Sequence, residues 1–185
     1  MPNHGLYNLL NVKLLKESFT SLLLSAVTAV FAGIFLGTFK ELFILLPGLI
    51  VLIPAAIGMR GNIFAALGSR LGSAFHLGTI TRFSMKNPTI KNNIHSSLTL
   101  TILLSVFLGF LAKLLTMLFG LESISLFSFV MISFIGGMIS GIVMLFTTFG
   151  ISFLSYKRGW DPDNVTSPMI TALGDFFTIP SLLLA

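Results

Sequence analysis

ISLFSFVMISFIGGMISGIVMLFTTFGISFLS, residues 124–155, runs for 32 residues without one charged side chain. About 20 predominantly apolar residues cross the hydrocarbon core of a bilayer as a helix. This stretch is therefore long enough to span, and too apolar to cover a water-soluble domain. Working outward from it, residues 19–39, 42–74 and 94–119 have the same character, and a shorter run at 168–184 completes a set of five. The sequence reads as an all-α integral membrane protein with five transmembrane helices.

Composition agrees. Charged residues make up 9% of the 185 and apolar residues 55%, against roughly 25% and 45–50% in soluble domains. Charges so sparse cannot cover a soluble surface. The length allows one domain, and the lack of cysteine excludes disulfides, thiolate metal sites and cysteine nucleophiles together. The net charge of +5 does not imply nucleic acid, because no run interleaves basic and aromatic residues.

The basic residues instead sort by side. With five spans, the N-terminus and the loops after the second and fourth helices share one side. They carry Lys13 and Lys16, then Arg82, Lys86 and Lys91, then Lys157 and Arg158; the other side has Lys40, beside Glu41, and the acidic Glu122. Short cytoplasmic loops collect lysine and arginine, so the expected location is a cell membrane, multi-pass, with the N-terminus cytoplasmic and the C-terminus outside. The sequon Asn164-Val165-Thr166 then falls inside and reads as coincidence.

Residues 1–18 form a separate unit in this reading, ahead of a transmembrane domain at 19–185. Leu6, Leu9, Leu10 and Leu14 recur at helical spacing beside Lys13 and Lys16, the pattern of a short amphipathic helix on the membrane surface. It lies where it could brace the cytoplasmic mouth of a pathway. The segment after it is longer than a signal-peptide core and lacks a convincing cleavage site.

The second segment, 42–74, would be about 50 Å long as one helix, well beyond the bilayer core. It contains Pro47, Pro54, Gly58 and Gly61, so it either tilts into the cytoplasm or breaks near Pro54–Gly61. Gly61, Ala65, Gly68 and Gly72 give it one smooth face, and Gly33–Gly37 and Gly137–Gly141 are further small pairs. Such faces let helices approach closely in lipid.

Charges within spans cost several kcal/mol and point to function. Lys113 and Arg70 lie near span ends and can snorkel. Arg60 lies deeper, where backbone carbonyls or a headgroup could hold it. Asn62 can offer its amide oxygen to an ion or to a neighbouring helix. Asp175 is the one acidic residue within an expected span. A helix starting at Ser167-Pro168, a good cap and first-turn pair, puts it about 12 Å in from the cytoplasmic end. Ser167, Thr171 and Asp175 then line one stripe, an acid below two hydroxyls, which suits a hard cation. A salt bridge to Arg60, or a protonated carboxyl buried in the bundle, would serve structure alone.

Two stretches resemble a known family. Pro54-Ala55-Ala56-Ile57-Gly58-Met59-Arg60-Gly61-Asn62, continuing to Ala66-Leu67-Gly68-Ser69-Arg70-Leu71, is similar to the second-helix signature of MgtE-type magnesium transporters. The basic residue before Gly-Asn looks most like the animal solute carriers with two MgtE-like halves. Gly159-Trp160-Asp161-Pro162-Asp163-Asn164-Val165-Thr166-Ser167-Pro168, through Thr171-Ala172-Leu173-Gly174-Asp175, resembles their fifth-helix signature. The resemblance implies a five-helix unit that pairs around a central pathway for Mg2+ or related divalent cations. It puts Asp175 on the pore aspartate, Thr171 and Ser167 one and two turns towards the cytoplasm, and Asn62 on the second helix beside the pore.

The expected function is thus divalent cation transport, most readily Mg2+, through a homodimer interface lined by helices two and five. The partners expected are a second copy, the lipid bilayer and the cations. Mg2+ is cargo, and no cofactor is expected. Two departures stand beside this. The 18 residues before the first span cannot supply the regulatory domain of bacterial members, and Phe64 stands where two-half relatives tend to be acidic. Alternatives are a sodium-coupled exchanger or a non-transporting partner subunit. An intramembrane enzyme is not expected: Asp175 has no second carboxylate in the spans, and His76 and His95 lie near span ends.

Overall fold

The computed structural model of the chain describes residues 4–80 and 84–185, and for 4–11, 42–44 and 163 the backbone alone. Every regular element among the described residues is a helix: α1 (His4–Thr38), α2 (Lys40–Leu45), α3 (Leu49–His76), α4 (Pro88–Leu118), α5 (Leu126–Arg158) and α6 (Ser167–Leu183), with a π-helical turn at Pro162–Thr166 leading into α6. Local chemistry sets several boundaries. The Asn87 side chain accepts from the backbone N–H groups of Thr89 and Ile90 and precedes Pro88, which starts α4 as capping and a first-turn proline should. Ser125 caps α5 by accepting from the Ser128 N–H at 3.1 Å. Gly159, at φ 63°, ends it, a left-handed position that glycine adopts without a Cβ clash.

Residues Val12–Thr38 of α1, together with α3, α4 and α5, are long and apolar enough to cross a membrane. Their outward faces carry large apolar side chains such as Phe19, Phe31, Phe127 and Phe146, which only lipid would leave uncovered at no cost. The expected fifth segment forms α6, but its 17 residues reach only about 26 Å. It packs against α1, α3 and α5.

Two expectations from the sequence change. The second segment does break, but at Pro47–Gly48 rather than near Pro54–Gly61, so α3 passes unbroken through Pro54, Gly58 and Gly61. Pro54 stands in the second turn of α3, where its missing N–H leaves only the Ile50 carbonyl without a donor. Gly48 has φ 84°, and a Cβ there would stand 3.0 Å from Phe129 and from Ser123. The elbow is tied to the α4–α5 loop by the Ile124 N–H, which donates to the Pro47 carbonyl at 3.1 Å. The N-terminal segment, in turn, is no separate helix: α1 runs through residues 18 and 19 without interruption. The side chains of Leu6, Leu9 and Leu10, and all of Arg82, lie outside the described residues.

Two apolar clusters fill the bundle. One gathers Phe64, Leu67, Leu71, Phe75, Ile90 and Ile170. The other gathers Leu49, Leu52, Ile53, Leu108, Phe129 and Leu182. The smooth face of α3 is a packing face: Gly61 meets Thr171, Gly68 meets Ile170, and Gly72 meets Pro162. Gly137 and Gly141 let α4 approach through Ser105 and Thr101, whereas nothing lies within 4 Å of a Cβ on Gly33 or Gly37.

Candidate functional site

Helix α6 is entered through the π-helical turn rather than through a side-chain cap. It begins at Ser167 as expected, but the residue before it, Thr166, is itself helical and makes no capping bond. The turn is fixed from outside the helix. Ser21 of α1 donates to the Asn164 carbonyl at 2.7 Å, and Ser25 donates to the Pro168 carbonyl at 3.1 Å. Nearer the N-terminus, Lys13 pairs with Glu17 at 3.6 Å, and Glu17 accepts from the Asp161 N–H at 3.5 Å. One flank of α1 therefore clamps the start of α6.

Beside this clamp α1 and α6 line an open groove of about 530 Å³. Ser25, Ala26 and Ala29 line it from α1, and Ser167, Thr171 and Asp175 from α6. The i, i+4, i+8 spacing does what helical geometry requires and puts all three α6 oxygens on one stripe. Thr171 donates its hydroxyl proton back to the Ser167 carbonyl at 3.1 Å, which turns its oxygen lone pairs outward as acceptors. Asp175 is half-buried and makes no hydrogen bond or ion pair with any described residue. The structure thus brings Ser167, Thr171 and Asp175 together.

Asn62 does not join them. It is exposed on α3, while the preceding Gly61 takes the contact with α6: a Cβ there would stand 3.1 Å from Thr171 Cγ2. One residue further along a helix is about 100° further round, so Asn62 faces away from that contact. Among the described residues no group of three or more acidic, imidazole or thiol side chains could hold a metal ion. A lone carboxylate with hydroxyls suits a cation that keeps much of its own water, as Mg2+ does.

The salt bridge that would have made Asp175 structural is not formed. Arg60 points the other way, fully buried between α3, α4 and α5. It donates through Nη1 to the Ala56 carbonyl at 3.2 Å and through Nη2 to the Ser133 carbonyl at 3.4 Å. Of the other two charges near span ends, Lys113 reaches Ser123 and the Ile124 carbonyl in the α4–α5 loop, both at 2.9 Å, and Arg70 lies exposed with Nε donating back to the Ala66 carbonyl at 3.0 Å. Phe64 is fully buried in the core.

A buried polar seam between α4 and α5 escaped the sequence reading. Ser97, Thr101 and Ser105 of α4 and Ser133, Ser140 and Thr148 of α5 are each at most 1% exposed. The signal was present as hydroxyls recurring every fourth residue on α4 and after seven and eight residues on α5 within apolar runs, spacings that keep to one helix face.

Four helices long and apolar enough to cross a membrane give the chain the build of a polytopic helical membrane protein. Residues 53–185 match the MgtE family, described as divalent cation transporter. Solute carrier family 41 member 2 of Homo sapiens is 32% identical over 173 residues, covering 86% of this chain and 29% of the relative. The Gallus gallus member 2 is 32% identical over 143 residues, 71% of this chain and 23% of its own length. Solute carrier family 41 member 3 of Mus musculus is 28% identical over 174 residues, covering 88% and 34%. The match therefore spans a quarter to a third of these curated relatives. No solved structure matches. The chain belongs to the MgtE family of divalent cation transporters.

Proposed function

We propose that the protein conducts divalent cations, Mg2+ foremost, through a homodimer interface lined by α3 and α6, with Asp175, in the groove between α6 and α1, as the carboxylate that selects for positive charge. The observation that carries this is Asp175 itself: a half-buried carboxylate, without a protein partner among the described residues, at one end of a stripe of oxygens in an open groove. A charge held in that state is expensive, and an arriving cation offsets the expense. Thr171 and Ser167 accept hydrogen bonds from the water that Mg2+ retains.

In this reading α6 is the fifth span, and the loops rich in lysine and arginine face the cytoplasm. Two copies associate about a C2 axis, the commonest symmetry of oligomers, and bring two Asp175 carboxylates towards one path. Asn62, exposed beside Gly61, is then available to the path from α3. The test is Mg2+ uptake by liposomes containing the purified protein alone. The wild type takes up Mg2+, and Asp175→Asn, which keeps size and polarity but not charge, takes up none while remaining folded and dimeric. Uptake by Asp175→Asn at the wild-type rate would make the carboxylate structural. No uptake by the wild type alone would make the chain a partner subunit, and uptake that requires a sodium gradient would make it an exchanger.

A further inference from the structure

Two full turns or more from the end of any apolar span (Val12–Thr38 of α1, and α3 to α6), the described residues hold two charged side chains, Arg60 and Asp175. They hang from neighbouring points of one backbone contact. Arg60 precedes Gly61 and Asp175 follows Gly174, and a Cβ on Gly174 would stand 3.3 Å from both Cα and N of Gly61. The side chains then diverge. Asp175 enters the groove shared with α1, and Arg60 turns inward towards α5.

Arg60 is under-compensated where it ends. It is 0% exposed, and two backbone carbonyls receive its terminal nitrogens. Nε has no partner, nor do the hydroxyls of Ser105 and Ser133 close by. No carboxylate among the described residues lies within ion-pair reach of it. Guanidinium stays protonated in proteins, so a full positive charge is held in the bundle by dipoles alone. Between closely packed helices, opposite charges act on each other well beyond contact distance, because little water screens them.

We infer that Arg60 is a fixed counter-charge to Asp175, balancing the carboxylate while the groove is empty and opposing the cation that replaces it. The inference rests on the reading of Asp175 as the cation contact. It means that the empty protomer is neutral at mid-membrane and the loaded one carries excess positive charge. Cation binding is held weak, and release is fast.

The experiment measures the Mg2+ concentration giving half-maximal thermal stabilisation of the purified protein, alongside Mg2+ flux in liposomes. Arg60→Met removes the charge and keeps the length of the stem. It lowers the half-saturating concentration about tenfold, the order expected for one charge at this range, and slows maximal flux. Arg60→Lys keeps the charge and stays within about twofold of the wild type. Should Arg60→Met not fold, Ser133→Asp neutralises Arg60 in place, and the same tightening is expected. Unchanged half-saturation in Arg60→Met, or equal shifts in the Met and Lys variants, overturns the counter-charge. Asp175→Asn separates the two ideas. If it keeps the wild-type Mg2+ response, the reading of Asp175 has failed. If it loses the response while neutralising Arg60 changes nothing, only the counter-charge has failed.

Discussion

The two sides of α3 treat polar groups in opposite ways. Beyond the packed α3–α6 contact, the bundle is open between α6 and α1, and Asp175 meets a groove with no partner among the described residues. Towards α4 and α5 it is closed, and Arg60 and a row of hydroxyls are packed to below 2% exposure. Both sides use small residues, but differently. Gly137 and Gly141 on the closed side make room for Ser105, Thr101 and the Arg60 guanidinium, whereas Gly61 on the other brings the backbone of α3 against Thr171. The contrast teaches that a polar atom in a membrane helix is no sign of a pathway by itself. What separates the sides is whether the group is sealed in protein or left for an incoming ligand.

If the contrast is right, removing the groove oxygens of α6 on the open side harms flux and spares folding, and overpacking the closed side does the reverse. The loss of all uptake in Asp175→Asn is the largest effect. Next is Gly137→Val, whose Cβ would overlap the Ser105 hydroxyl and stand 2.9 Å from Arg60 Nη2. Overpacking of this kind costs about 1–3 kcal/mol, so thermal unfolding in detergent should shift markedly downward. An unchanged midpoint would show that the closed side yields easily. Thr171→Val keeps the shape of the side chain and removes its oxygen from the groove. Uptake should fall several-fold with no change in melting, and a fall in both would erase the distinction between the sides.

Ser25→Ala removes the clamp bond to the Pro168 carbonyl and should cost about 0.6 kcal/mol, the mean for hydrogen bonds between membrane helices. A denaturation series in mild detergent resolves that difference. Gly33→Ala should do nothing measurable, since no atom lies within 4 Å of the added methyl in the protomer. A clear loss of stability there would instead locate a contact between copies on α1.

Much of this was legible in the sequence, and the failures have physical reasons. Apolar run length gave α5 nearly to its ends and α4 from its seventh residue on, because a membrane leaves few alternatives to a helix. The stripe of Ser167, Thr171 and Asp175 was also legible, since spacing alone assigns a helix face. The elbow at Pro47–Gly48 was misjudged because Pro54 is the more conspicuous breaker. Tolerance of that proline depends on its place early in α3, and that place was set by the elbow. The Arg60 side chain was harder still. Its direction depends on the gap that Gly137 leaves on another helix, and no local pattern around residue 60 encodes it.

The clamp between α1 and the start of α6 bears on how the chain is made. The principal neighbours of α1 are α6 and the π-helical turn before it, so α1 leaves the ribosome well before the helix it pairs with and waits for that helix to find its seat. Until then α1 has lipid or an insertion factor on the flank that Ser21 and Ser25 will later present to α6. Pairing of this kind joins residues 143 apart, and contacts so distant in sequence form slowly. Nascent chains halted at increasing lengths, with a photo-crosslinker at Ala26, should switch from lipid adducts to α6 adducts only once residues 167–183 have emerged. Earlier protection of Ala26 would mean that another helix shelters the groove first.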